Sequence, residues 1–177
     1  CMIPADMQQF TQETRMLDAI DSRLLAEIQQ NAMLTAQDLG ERLNLSPSQA
    51  ARRRQRLETE GYVTGYNARL NAGRIGLSLQ AFVQVQLSGQ TPQILNSFAE
   101  LITQCPNIIA AWTMTGDADC VLRLACCDLP DLNRILHEVL LAHPSVKRVH
   151  SQIVLDQFKA DAALPICPLP LPAQAAT

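Results

Sequence analysis

The apolar residues of this chain change period once, and that change constrains the fold more than any other feature. Leu17, Ile20, Leu24 and Ile28 recur at helical spacing and mark one face of an amphipathic helix. From Ala81 onward the rhythm is two: Ala81, Val83, Val85 and Leu87 alternate with Phe82, Gln84 and Gln86, as in a strand. A helical block followed by a mixed one requires two domains, and 177 residues accommodate two small ones. With 47% apolar residues the chain can bury a core, and with 4% aromatics that core is aliphatic. No run approaches ~18 consecutive apolar residues, which excludes a membrane-spanning helix. Residues 1–14 lack a basic start and an apolar stretch, so no signal peptide is read and a cytoplasmic location is expected.

Helix signals place three helices in the first block. Asp18 caps the first. Thr35-Ala36-Gln37-Asp38 has capping-box spacing and opens the second, which carries Leu39 and Leu43. Ser46-Pro47-Ser48-Gln49 opens the third, with proline at its first position, and Gly61 ends it after Glu60. Tyr62 to Ala68 reads as a two-strand ribbon turning near Gly65. Three helices and a ribbon make a winged helix-turn-helix, expected over 17–70. Residues 1–16 read as a mobile lead-in and 71–78, with Gly73 and Gly76, as a hinge. From 79 to 159 the pattern gives strand, helix, strand, strand, helix, strand, the last strand spanning 146–158. This βαββαβ order is ferredoxin-like, so the fold class is α+β. Pro165, Pro168, Pro170 and Pro172 make 160–177 an extended, mobile tail.

The net charge of −3 argues against a nucleic-acid partner, but a total hides a patch. Arg52, Arg53, Arg54 and Arg56 lie within five residues, all in the second helix of the helix-turn-helix. At ~100° per residue, Ser48, Arg52 and Arg56 share the face opposite Ala50 and Leu57, and Gln49 and Arg53 flank it. Arginine reads guanine and binds phosphate, and glutamine reads adenine. A solvated charged face would carry the same residues. Their place in a capped helix-turn-helix favours DNA, with Ser46, Ser48, Gln49, Arg52, Arg53 and Arg56 as contacts. Arg54 falls on the apolar side and must either snorkel or rotate the helix.

Gly116-Asp117-Ala118-Asp119 is the other notable feature, a tight turn with two carboxylates. No third hard ligand stands nearby, so no metal is expected there. The cysteines form no CxxC, and the three histidines form no HExxH, so no cofactor and no catalytic set are expected.

Collinear segments join these features: Leu17-Asp18-x-Ile20-Asp21-x-x-Leu24-Leu25, Leu45-Ser46-Pro47-Ser48, Arg52-Arg53, Arg56-Leu57-Glu58-x-x-Gly61-Tyr62-Val63-x-Gly65-Tyr66, Leu70-Asn71 and Thr115-Gly116-Asp117-x-Asp119. Over about residues 16–159 the chain resembles the Lrp/AsnC family of transcriptional regulators. The resemblance implies a winged helix joined to a ferredoxin-like domain that binds an effector and oligomerises. It implies homodimers through the C-terminal sheets, octamers of those dimers, and an amino acid bound near the turn. Amides of Gly116 to Asp119 would meet the ligand carboxylate and Asp117 or Asp119 its ammonium, with Ser151 and Gln152 of the last strand contributing. Arg54 and Cys120 depart from the family pattern. A non-enzymatic regulator of a double-stranded DNA operator, responding to an amino acid or related metabolite, is therefore expected. A sirohaem-decarboxylase-type enzyme of Lrp-like architecture and a metabolite-binding module without DNA binding are the alternatives.

Overall fold

Leu24, Leu25 and Ile28 leave one side of α1 (Ala19–Gln30) in need of cover. In the computed structural model, which describes residues 17–166, that cover comes from α2 (Ala36–Leu43) and α3 (Pro47–Thr59). Each helix starts on a complete capping box: Asp18 with Asp21, Thr35 with Asp38, Ser46 with Gln49. Helices this short are not stable alone. Leu24, Leu39 and Leu57, each fully buried, tie them together at roughly 1.5–3 kcal/mol apiece. The turn between α2 and α3 depends on two residues. Asn44 ends α2 in the left-handed region, at φ 56°. Gly40 lies so close to the next segment that a Cβ there would stand 2.7 Å from the Leu45 carbonyl oxygen.

The ribbon expected near Gly65 does not form as a pair of strands: residues 63–70 carry no ladder. Two strands alone are marginal. Side-chain contacts to α3 hold this segment instead, as described below.

Residues 68–160 form a second unit. Its strands β1 (Leu79–Leu87), β2 (Ile108–Thr113), β3 (Cys120–Cys126) and β4 (Val146–Ile153) build one antiparallel sheet in the order β2-β3-β1-β4. Helix α4 (Pro92–Gln104) and helix α5 (Leu129–Arg134) contribute Phe98 and Leu132 to a core with Val83, Val85, Leu122 and Leu124. This is the expected βαββαβ arrangement. After Arg134 the helix widens over Ile135–Leu140, and the Leu141 amide bonds back five residues to Leu136. Apolar spacing does not report such a widening. β4 ends at Ile153 rather than near 158, because its partner β1 runs out: the last bond is from the Val154 amide to Gln80.

The expected hinge over 71–78 holds a short 3-10 turn, Gly73–Ile75, inside the second unit. The described part of the tail, 161–166, is extended and belongs to the first unit. The lead-in 1–16 and the tail beyond 166 lie outside the described residues.

Candidate nucleic-acid interface and effector pocket

The arginines of α3 divide by what they touch. Asp21 of α1 is 1% exposed, and it is a carboxylate. A buried carboxylate needs partners, and two arginines supply them. Arg53 donates from Nη1 to Asp21 Oδ1 at 2.6 Å and to Asp18 Oδ2 at 2.6 Å. Arg56 donates from Nη2 to Asp21 Oδ2. Burial works to raise the Asp18 carboxyl; the Asp21 amide and Arg53 outweigh it and hold that carboxyl below its usual range. Arg53 and Arg56, expected as DNA contacts, are thus engaged in fastening α3 to α1.

Arg54 resolves the conflict its position raised. Its guanidinium donates to the Leu34 carbonyl at 2.8 Å and to Glu58 Oε1 at 3.0 Å, and it lies 5.0 Å from the Tyr66 ring centroid. Tyr66 in turn donates its hydroxyl to Glu58 at 2.6 Å. The side chain ties the α1–α2 connection and the segment after α3 to the helix between them. Tyr66 and Arg54 together hold the Glu58 carboxyl below its usual range.

Gln49 is also partly committed. Its Oε1 accepts from the Ser46 amide at 3.0 Å, and the Ser46 hydroxyl accepts from the Gln49 amide. Bidentate adenine reading needs that oxygen, so the capped Gln49 presents only its NH2 group. Ser48 and Arg52 are exposed. Arg52 forms no hydrogen bond or ion pair among the described residues. One turn beyond Ser48, it points out of α3 together with Gln55, a position missed in the sequence although ~100° spacing places it there.

In the second unit, parity decides which residues meet. Trp112, Val121, Gln84 and His150 form one cross-strand row, and Gln86 pairs with Arg148. These side chains share the face of the sheet that no helix covers. A cavity of about 710 Å³ opens there, lined by Gln84, Gln86, Gly116, Asp117, Ala118, Asp119, Arg148 and His150. The turn is anchored: the Asp119 amide donates to Val85 at 3.0 Å, and Asp119 accepts from the Leu87 amide at 2.8 Å and from Gln90 at 3.1 Å. Both Asp119 oxygens are therefore spoken for, whereas Asp117 is exposed without a partner among the described residues.

Two expected residues are placed differently. Ser151 pairs with Val83, in the row that faces the helices, so its side chain points away from the cavity. Gln152 is on the correct face but beside Phe82, outside the cavity. A one-residue slip on a strand exchanges the two faces. The β4 residues at the cavity are Arg148 and His150, which alternation with the core strand could have found.

Among the described residues no three His, Cys, Asp or Glu are grouped to hold a metal ion, and no helix is long and apolar enough to cross a membrane. Burial, with Asp131 nearby, pushes the Cys126 thiol up to about 11, and burial also raises Cys120. Both stay protonated at neutral pH and serve as packing.

Residues 17–64 match a winged helix-turn-helix DNA-binding family, and residues 80–164 match the Lrp/AsnC ligand binding domain. The chain belongs to the Lrp/AsnC family. It is 32% identical to the DNA-binding transcriptional activator DecR of Escherichia coli K12, over 85% of this chain and 99% of that protein. It is 35% identical to the Bkd operon transcriptional regulator of Pseudomonas aeruginosa, over 85% and 98%. A Neisseria meningitidis transcriptional regulator solved as its L-Met complex superposes with a TM-score of 0.81 at 32% identity, over 84% of this chain and 96% of that one. As an Lrp/AsnC member, this chain is a DNA-binding transcriptional regulator with a ligand-binding domain.

Proposed function

We propose that Arg52 is the principal DNA-reading side chain, supported by Ser48, Gln55 and the NH2 of Gln49, while Arg53 and Arg56 set the angle of α3. The observation that carries this reading is that Arg52, alone in its cluster of four arginines, is exposed and unpaired among the described residues. An unpaired guanidinium gives up no protein contact when it meets a guanine edge or a phosphate. A homodimer would read a pseudo-palindromic operator.

The effector in this reading is an amino acid in the cavity beside the turn. Among the described residues, no hydrogen bond reaches the amides of Gly116, Asp117 or Ala118. They and Arg148 offer donors to a carboxylate, and Asp117 offers an acceptor to an ammonium. The L-methionine complex of the Neisseria relative supports the ligand class. The uncovered sheet face, with Phe82 and Trp112 exposed, supports self-association there, and assembly of dimers into octamers extends that reading. Ligand acts only through different affinities for two states, since equal affinity shifts nothing.

Names of the relatives favour the regulator over the tetrapyrrole enzyme and over a module without DNA binding. An anisotropy titration against DNA upstream of the protein's own gene, with L-methionine first in a panel of amino acids, tests both halves. Specific binding shifted by one amino acid is expected. Specific binding that no amino acid shifts removes the effector assignment. No specific binding at low salt removes the operator.

A further inference from the structure

The family match ends at residue 164, and the chain continues past it. That continuation has a seat in the first unit. One side chain, Gln29 of α1, holds both main-chain groups of Leu164: its Oε1 accepts from the Leu164 amide at 2.7 Å, and its Nε2 donates to the Leu164 carbonyl at 3.2 Å. An amide side chain used this way recognises an extended backbone rather than a particular residue. Leu164 itself stays 76% exposed, whereas Ile166, two residues on, is half-buried against the core of α1, α2 and α3. Pro165 between them restricts its own φ and has no amide to satisfy, so the segment loses little entropy on docking.

The seat borders a cavity of about 510 Å³ whose walls are Leu25, Ile28 and Ala32 of the α1 side, Tyr62 and Val63, and residues 164–166 themselves. Its second wall is the segment that leaves the recognition helix. Tyr62 and Val63 both bond back to the Leu57 carbonyl, and Tyr66 is fastened to Glu58 and Arg54. Residues 62–67 have no strand pairing of their own. They are held on one side by α3, and on the other they line one cavity together with α1 and residues 164–166, where Ile166 packs against the helical core.

We propose that residues 164–166 are an intrachain strap, docked in the groove between α1 and residues 62–67, which fixes that segment beside the recognition helix and thereby strengthens DNA binding. The effect does not depend on which operator is read. Removal of the anchor releases the segment without touching Arg52 or the sheet unit.

The test uses the full chain. A photoreactive p-benzoylphenylalanine in place of Ile166 is expected to crosslink to peptides 25–32 or 62–67 within a single chain. Crosslinks only between two chains, or to neither peptide, overturn the strap. In Ile166→Asp, amide hydrogen exchange over 62–67 is expected to rise about fivefold, the scale of one lost contact near 1 kcal/mol. Exchange in β1 and β3 stays unchanged, and binding to a random-sequence duplex weakens severalfold. Gln29→Ala, an exposed substitution that leaves the core intact, is expected to speed exchange of the Leu164 amide by a similar factor. Unchanged exchange in both variants overturns the docking. Faster exchange with unchanged duplex binding overturns its role in DNA binding.

Discussion

The two units use charge in opposite ways. In the helical unit a carboxylate lies inside: Asp21 is the one buried charged residue among the described ones, and it binds two arginines of α3, the helix proposed to meet DNA. In the sheet unit the core is apolar, and the charged groups at its cavity that have no partner among the described residues, Asp117 and Arg148, stand on the uncovered face. A small helical core of eight buried residues has little area to position a recognition helix, and directional ion pairs add what packing lacks. The sheet gets its geometry from ladder register and packing, so its polar side chains remain available to a ligand. The lesson is that basic residues on one helix are not equivalent: Arg53, Arg54 and Arg56 are held within the helical unit, and Arg52 is left for the reading role proposed above.

Substitutions can break or sharpen this contrast. The largest effect is expected for Asp21→Ala. It removes the shared partner of Arg53 and Arg56, and losing one side of a buried ion cluster costs about 3 kcal/mol. Trp112, the only tryptophan, sits in β2 and reports the sheet unit. In urea, the helical circular-dichroism signal should therefore melt early while Trp112 fluorescence keeps its midpoint. Coincident early loss of both signals would deny the units their separate stabilities. Arg148→Ala comes next. It should weaken the amino acid found in the panel about tenfold by calorimetry, near 1.5 kcal/mol for a charge-assisted bond, and leave both melting signals in place.

The smallest effect concerns Glu58. Tyr66 and Arg54 lower its carboxyl from an ordinary value of 4.5. A carboxyl depressed in the folded state stabilises above its unfolded value, and that contribution disappears as pH falls through the folded one. Glu58→Gln should cost under about 1 kcal/mol at pH 7, because the group is partly exposed. The gap between variant and parent should close as pH falls below 4.5. Melting curves at stepped pH measure it, and a gap that widens in acid would reverse the assignment.

Much of the fold was legible because its signals are local. The cap at Asp18 and the capping-box spacings at Thr35 and Ser46 marked the helix starts, and alternation from Ala81 to Leu87 gave β1. What the sequence could not show were long-range pairings. Asp21 is 32 residues from Arg53, and nothing in either segment announces that they meet. Gln29 and Leu164, separated by 135 residues, are further apart still. At the effector cavity the turn was readable, but Ser151 was expected where the register of β4 on β1 places His150. The ribbon after Gly61 failed for a related reason: the turn residues were present, but the contacts of Tyr66 run to α3.

The division of labour within α3 is tested most directly by Arg52→Ala. Its operator affinity should be followed against salt, alongside a urea melt of the same protein. The expected result is a loss of roughly tenfold or more, with the midpoint of unfolding unmoved, because Arg52 is exposed and forms no hydrogen bond or ion pair among the described residues. A phosphate contact would also lower the salt slope by about one. Unchanged affinity and unchanged slope would contradict the account and return the reading role to the arginines that Asp21 holds.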